Sequence, residues 1–236
     1  MISESLISLN QKIKNPFDLS HLFGLLDEAR LGKVVFSTSL GQEDQVLTDF
    51  IFRNDLDVDV FTLDTGRLFQ QTYDVLSATT KKYKKKIKCY YPNQQNLTQL
   101  VENDGINGFY DSIDKRKSCC GVRKIEPLNR ALRGADVWIT GLRQDQSANR
   151  ADLDAFEYDA KFDIIKFNPL SKWSLHQVNE YLETYKVPQN KLHAQGFVSI
   201  GCAPCTRAIS SGEDIRAGRW WWETSHKECG LHQINN

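Results

Sequence analysis

Short runs rich in β-branched and aromatic residues, Lys33 to Ser37, Val58 to Thr62, Ile87 to Tyr91 and Asp136 to Thr140, alternate with longer stretches of helical apolar spacing. Such alternation implies parallel βαβ units, because two parallel neighbours need a crossover long enough to hold a helix. Between the first two runs, Val46, Leu47, Phe50 and Ile51 fall on one face of a helix spanning Gln42 to Arg53. A further strand, Ile164 to Phe167, is ended by Asn168-Pro169-Leu170, and Ser174 reads as the cap of a helix through Glu183. The expected fold class is therefore α/β, an open, mostly parallel sheet flanked by helices. With 236 residues, 40% of them hydrophobic, and neither repeats nor low-complexity linkers, the chain reads as one domain with an appended C-terminal segment.

Thirty lysines and arginines balance thirty aspartates and glutamates, so net charge gives no reason to expect nucleic acid or an anionic membrane as partner. No apolar run approaches the roughly 18 to 20 residues needed to span a bilayer. The start, MISESLISLNQKIK, lacks the basic and apolar regions of a secretion signal, and a cytoplasmic protein is expected. Basic character is local. KKYKKKIK at 81–88 reads as a solvated helix end, whereas the excess of Arg and Lys between Arg116 and Arg150 surrounds cysteines and suggests an anion site.

The first loop, Ser37-Thr38-Ser39-Leu40-Gly41, joins a strand to a helix N-terminus, and Leu63-Asp64-Thr65-Gly66-Arg67 follows the second strand. Open α/β sheets bind ligands at the carboxyl ends of their strands, and helix N-termini favour anions, so the first loop is a candidate phosphate cradle. Ser and Gly also occur in such turns for steric reasons alone. The loop is neither GxxxxGK[ST] nor GxGxxG, which argues against P-loop NTPases and dinucleotide-binding enzymes.

Six cysteines are too few for a disulfide scaffold in a chain this long. Cys119 and Cys120 are adjacent, and Cys202 and Cys205 form a CxxC pair. Two pairs imply a metal site. Structural zinc generally takes each pair from a CxxC-type turn, and neighbouring thiols converge poorly on one ion; they suit a target with several metal corners, such as an iron–sulfur cubane. Zinc and buried, inert thiols remain the competing readings. Cys89, in a strand-like run, reads as a core thiol. Cys229 lies in a polar tail with His226, Lys227 and His232 nearby, bases that suit a nucleophile, although a tail cysteine is equally a bystander.

These motifs, Ser-Leu-Gly-Gln-Glu-Asp at 39–44, Leu-Asp-Thr-Gly-Arg at 63–67, Cys-Cys-Gly-Val-Arg-Lys at 119–124, Gly-Leu-Arg-Gln-Asp-Gln-Ser at 141–147 and Lys-Glu-Cys-Gly-Leu-His at 227–232, together resemble the assimilatory adenylyl-sulfate reductases, relatives of the phosphoadenylyl-sulfate reductases. The resemblance runs from about Gly32 to His232. It implies a fold like the ATP pyrophosphatases (adenine nucleotide alpha hydrolase-like), thioredoxin-dependent reduction of 5′-adenylyl sulfate to sulfite and AMP, and a place in sulfate assimilation and cysteine biosynthesis. Thioredoxin, or a glutaredoxin-like donor, is the implied partner, and a homo-oligomer the implied assembly. Relatives without the two cysteine pairs usually take the 3′-phosphorylated nucleotide, so the unphosphorylated substrate is favoured here.

The same resemblance implies that Cys119, Cys120, Cys202 and Cys205 ligate one 4Fe-4S cluster and that Cys229 attacks the sulfate sulfur. Lys124 and His232 would assist; Ser37, Ser39, Gly41, Leu63, Thr65, Arg143, Arg150, Arg216 and Arg219 would bind substrate. The corresponding boundaries are an N-terminal helical segment at 1–30, a nucleotide- and cluster-binding α/β domain at 31–210, and a mobile catalytic tail at 211–236. Arg116, three residues before Cys119, departs from the histidine of some cluster-containing members, and Leu40 is an extra residue relative to shorter first loops. Rival readings are a phosphoadenylyl-sulfate or dual-substrate reductase, a non-enzymatic iron–sulfur nucleotide sensor, and an adenylating ligase, against which the missing SGGxDS pattern speaks.

Overall fold

The computed structural model describes residues 2–146 and 150–223. Two helices, α1 (Ile2–Gln11) and α2 (Leu19–Ala29), precede strand β1 (Val34–Ser37), helix α3 (Gln42–Arg53), β2 (Asp59–Leu63), α4 (Gln70–Tyr83), β3 (Lys88–Tyr90) and α5 (Gln94–Asp104). Helix α6 (Ile113–Cys120) runs through a π-helical turn at Gly121–Ile125 into α7 (Glu126–Leu132); β4 (Val137–Ile139), β5 (Phe156–Asp159), β6 (Ile164–Phe167) and α8 (Leu175–Thr184) follow. The six strands lie in the order β3-β2-β1-β4-β6-β5. All neighbours are parallel except β5, which pairs antiparallel with β6.

The expected strands and the α3 and α8 helices occur where apolar periodicity placed them, to within a residue or two. Strand β5 was not foreseen: it sits at the sheet edge, and its free side is capped by α1, where the Asn10 side chain donates to the Phe156 carbonyl (2.8 Å) and accepts from its N–H (3.0 Å). A side-chain amide thus replaces a missing strand. Leu6 and Leu9 of α1 and Leu19, Leu22 and Phe23 of α2 enter the same core as α3 and α8. On the opposite sheet face Leu128, Ala131 and Leu132 of α7 pack on Val35, Phe61 and Trp138. Consecutive strand residues therefore serve different layers, Phe36 one and Val35 the other, as the two-residue period of a strand demands. No helix among the described residues is long and apolar enough to cross a membrane.

Two local expectations need correction. Cys89 is half-buried on the edge strand β3, because β3 has a neighbour on one side only, and is not a core thiol. The 81–88 lysines are more than a solvated helix end: Lys82 Nζ donates to the carbonyls of Tyr185 (2.8 Å) and Lys186 (3.0 Å), closing the C-terminus of α8 with a cation.

Helix α3 delivers the first loop to the site, and Asp49 fixes it from below. Its carboxylate, 1% exposed, accepts from Tyr83 of α4 (2.6 Å), Tyr181 of α8 (2.8 Å) and Arg53 (3.2 Å). Burial, and then the bond to Asp49, raise the pKa of both phenols, so they act as donors throughout the ordinary pH range. Asp49→Ala leaves two half-buried hydroxyls and a guanidinium without their shared acceptor and is expected to lower stability by about 3 kcal/mol in urea titration, with Asp49→Asn costing less.

Candidate active site

After β1 the chain builds outward to β2 and β3, then returns to place β4 on the other side of β1. The loops leaving β1 and β4 consequently diverge, and a crevice opens above the carboxyl ends of the strands. A cleft of about 230 Å³ lies there, lined by Ser37, Thr38 and Ser39 from the first loop, Thr62, Leu63 and Thr65 from the second, Trp138, Thr140, Gly141 and Leu142 beyond β4, and Lys124. Trp138 Nε1 donates to Ser37 Oγ (2.8 Å), which joins the two diverging loops at the cleft floor.

The first loop is held by its own backbone turn. Leu40 takes a left-handed conformation (φ 62°) with its side chain 1% exposed, and its N–H donates to Thr38 Oγ1 (3.0 Å). The extra residue is therefore a core anchor that turns the loop into α3, whose N-cap is Gly41. Ser39 offers no free hydroxyl in this state: both its N–H (2.6 Å) and its Oγ donate to Asp44 Oδ2. Asp44 is buried beside Gly141, where a Cβ would stand 2.1 Å from its carboxylate, so only glycine lets the β4 loop approach. Burial pushes the Asp44 carboxyl up to about 6, against the lowering effect of the two Ser39 bonds.

A second pocket adjoins the cleft and is lined by Cys119, Cys120, Cys202 and Cys205 together with Arg67, Arg116, Arg123, Lys124, Arg219, Phe109 and Trp220. The cysteine pairs come from different places. Cys119 and Cys120 end α6; Cys202 precedes and Cys205 ends the 3₁₀ turn Ala203–Cys205, which is tied to the second loop by Ala203 N–H donating to the Arg67 carbonyl (2.8 Å). Two residues connect the cavities. Thr65 lines the cleft and holds its Oγ1 3.2 Å from Cys202 Sγ, and Lys124 lines both. Lys124 reaches that position through the π turn, whose extra residue per turn alters the simple i, i+4 relation to Cys120 expected from an uninterrupted helix.

Charge and burial compete over the thiols. Burial pushes Cys202 up, but Lys124, the Thr65 bond, Arg219 and Arg123 outweigh it and leave the thiol below its ordinary value. Burial, Cys202 and Cys120 push Cys205 up to about 12, and burial raises Cys119. Among the described residues no three Cys, His, Asp or Glu side chains are grouped to hold a single metal ion. The pocket's chemistry nonetheless suits a larger, sulfur-rich anionic group: four thiols, a ring of cations, and buried N–H groups of Arg123 (Nε), Arg219 (Nε) and Trp220 (Nε1) that find no hydrogen-bond partner among the described residues.

Of the other expected substrate residues, Arg143, Arg150 and Arg216 line a neighbouring cleft of about 250 Å³ that shares Ser39, Glu43 and Gln146 with the first. Arg143 is buried, donating through Nε to Glu43 (2.9 Å) and through Nη1 to the Trp173 carbonyl (3.2 Å). Arg219 is in the cysteine pocket, where Nη1 donates to Ser199 Oγ (3.3 Å). Cys229 and His232 lie outside the described residues. Sequence reasoning assigned no role to Trp138, Asp44, Arg123 or Thr140; of these Asp44 and Arg123 lie inside the quoted motifs at 39–44 and 119–124. Gly218, just before Trp220, packs so closely that a Cβ would meet the Arg207 carbonyl oxygen at 2.3 Å.

A buried carboxyl with a raised pKa stabilises the fold while protonated and loses that contribution as pH rises through its folded value. Asp44 should therefore cost the folded state roughly 3 kcal/mol between pH 4 and 7, given about 1.4 kcal/mol per pKa unit. Thermal melts of wild type and Asp44→Asn are expected to show the wild type losing ground to the variant across that interval.

Residues 33–208 match the family described as phosphoadenosine phosphosulfate reductase domain. The adenosine 5′-phosphosulfate reductase of Allochromatium vinosum is 52% identical over 204 residues, which cover 86% of this chain and 80% of the relative. That of Neisseria meningitidis serogroup B is 50% identical over 200 residues, 84% of this chain and 81% of the relative. Among solved structures, a phosphoadenylyl-sulfate reductase from Candida auris superposes with a TM-score of 0.71 at 24% identity, covering 87% of this chain and 97% of that one, and yeast FAD synthetase with 0.53 at 16%, covering 86% and 66%. The two superpositions share the sheet architecture, and the sequence matches go further: this chain belongs to the phosphoadenosine phosphosulfate reductase domain family.

Proposed function

We propose that the protein is an assimilatory reductase that converts 5′-adenylyl sulfate to sulfite and AMP, with electrons from thioredoxin or a similar dithiol protein. The observation that carries the reading is the meeting, at Thr65 and Lys124, of a crevice at the sheet's carboxyl edge with a four-cysteine pocket, in a chain about half identical to relatives named adenosine 5′-phosphosulfate reductase. The nucleotide would sit against the first two loops and Trp138, its sulfate end toward Lys124 and Arg219. Cys119, Cys120, Cys202 and Cys205 would hold a 4Fe-4S cluster, which when bound supplies a fixed anionic charge beside the site and ties α6 to the CxxC turn.

In the proposed chemistry the Cys229 thiolate forms a bond to the substrate sulfur as the sulfur–oxygen bond to the phosphate breaks, releasing AMP and leaving an S-sulfocysteine. One thiol of the dithiol partner attacks Cys229 Sγ and expels sulfite; its second thiol resolves the mixed disulfide, so both electrons come from the partner's thiols. Thiolate and sulfate are both negative, and Lys124, Arg219 and Arg216 would offset their repulsion, with His232 assisting in the tail. A homo-oligomer and a cytoplasmic site of action belong to the same proposal.

Substrate choice follows from charge. Glu43 and Asp44 line the cleft, and an added 3′-phosphate would bring two further charges toward carboxylates. The family name favours the phosphorylated nucleotide as a second reading. Sulfite release from each nucleotide with thioredoxin decides between them: a higher kcat/KM on adenylyl sulfate is expected. Cys229→Ser is expected to lose roughly a thousandfold or more in kcat. Full turnover by that variant, or no sulfur label on Cys229 when wild type meets labelled substrate without reductant, overturns the covalent route.

A further inference from the structure

Three residues before the cysteine pair, Arg116 is 2% exposed and makes a two-pronged bond to Glu223, Nε to Oε1 and Nη2 to Oε2, both 2.8 Å. Glu223 is itself 7% exposed, and Arg116 also stacks on Trp220, its guanidinium carbon 4.6 Å from the ring centre. The segment around Trp220 is fastened to the CxxC turn as well: Thr206 and Arg219 form an antiparallel bridge, and Trp220 N–H donates to the Cys205 carbonyl (3.2 Å). The chain that leads to Cys229 thus departs from a point pinned to both cysteine elements. Five residues lie between Glu223 and Cys229, a reach of at most about 22 Å.

We propose that the Arg116–Glu223 pair is a clasp that fixes the root of the Cys229-bearing tail to the cysteine pocket and so sets where the nucleophile is delivered. The inference rests on the function proposed above. Arg116 and Glu223 act as positioning residues, through the segment they hold; Arg116 also hydrogen-bonds Cys120 at the end of α6. The pairing explains why arginine occupies this position. A planar fork matches a carboxylate with two parallel bonds, which neither a histidine nor a lysine can do. Because Glu223 neutralises it, Arg116 also reaches the buried pocket wall without adding an uncompensated charge beside the thiols.

Three variants separate positioning from mere support of the fold. Arg116→Lys keeps the charge and loses the fork; Glu223→Gln keeps the shape and loses the charge; Arg116→Met with Glu223→Met removes both charges at similar volume, a replacement that buried ion pairs often tolerate. Each is compared with wild type by thermal melt, bound iron per chain, chymotryptic cleavage at Trp220–Trp222, and kcat and KM for adenylyl sulfate. The clasp predicts that Arg116→Lys and the double variant retain iron and most of their thermal stability, yet are cleaved faster at the tryptophans and lose roughly tenfold to a hundredfold in kcat with little change in KM. Wild-type cleavage and kcat in the stable double variant and in Arg116→Lys overturn the clasp, as does a kcat loss that only tracks lost stability. If wild-type protein releases no sulfite from either nucleotide, the functional reading fails, while cleavage at the tryptophans still decides whether the pair anchors the root.

Discussion

Everything at the site depends on the reversal of strand order between β1 and β4. Had β4 been laid outside β3, the loop after β1 would be covered on both sides by neighbours running the same way, and no crevice would form. The reversal separates the β1 and β4 loops, and the bond from Trp138 to Ser37 limits that separation to a floor rather than a gap. Asp44 and Gly141 set the closest approach of the two loops at the rim. The cleft is thus held open from below by strand connectivity and braced above by a carboxyl that burial renders reluctant to ionise.

The second organising constraint is electrostatic. Five cationic side chains line the cysteine pocket, and one of them, Arg116, is answered by a buried carboxylate. Arg123 spends one nitrogen on the Thr65 carbonyl (2.6 Å), which makes the second loop a shared wall between the two cavities. The surplus positive charge favours anionic sulfur, as the depressed Cys202 thiol registers, while burial and the neighbouring Cys202 and Cys120 hold Cys205 high although Lys124 and Arg219 act on it too. A group that draws charge from all four sulfurs at once would even out that difference, since ligation requires each thiol to give up its proton.

The parallel core was legible in the sequence because its signals are local. Val46, Leu47, Phe50 and Ile51 mark α3 by spacing alone, and Ser174 with Gln177 forms the capping box that opens α8. The antiparallel β5 was not legible: its four residues acquire strand character from β6 and from the amide of Asn10, 146 residues away. At the site, cysteine pairs and polar loops were visible as motifs, but Trp138 looked like any core aromatic of a strand. The π turn was invisible for the same reason: nothing in Gly-Val-Arg-Lys-Ile announces a wider helix, yet the position of Lys124 depends on it.

The arginines carry a more general lesson about reading cations from sequence. Arg143, Arg216 and Arg219 share the same expectation, yet Arg143 is committed to Glu43 and a backbone carbonyl, Arg219 lies in the cysteine pocket, and Arg216 lines the adjoining cleft. Burial alone does not decide their use, since Arg219 is 7% exposed and Arg143 4%. A buried guanidinium paired with a carboxylate, as in Arg143 and Arg116, defines where loops and elements meet, while the wall cations beside the cavities bring positive charge to the space a ligand would enter. The same residue type therefore builds the frame and furnishes the cavity, and only the neighbouring carboxylates, Glu43 and Glu223, tell one use from the other.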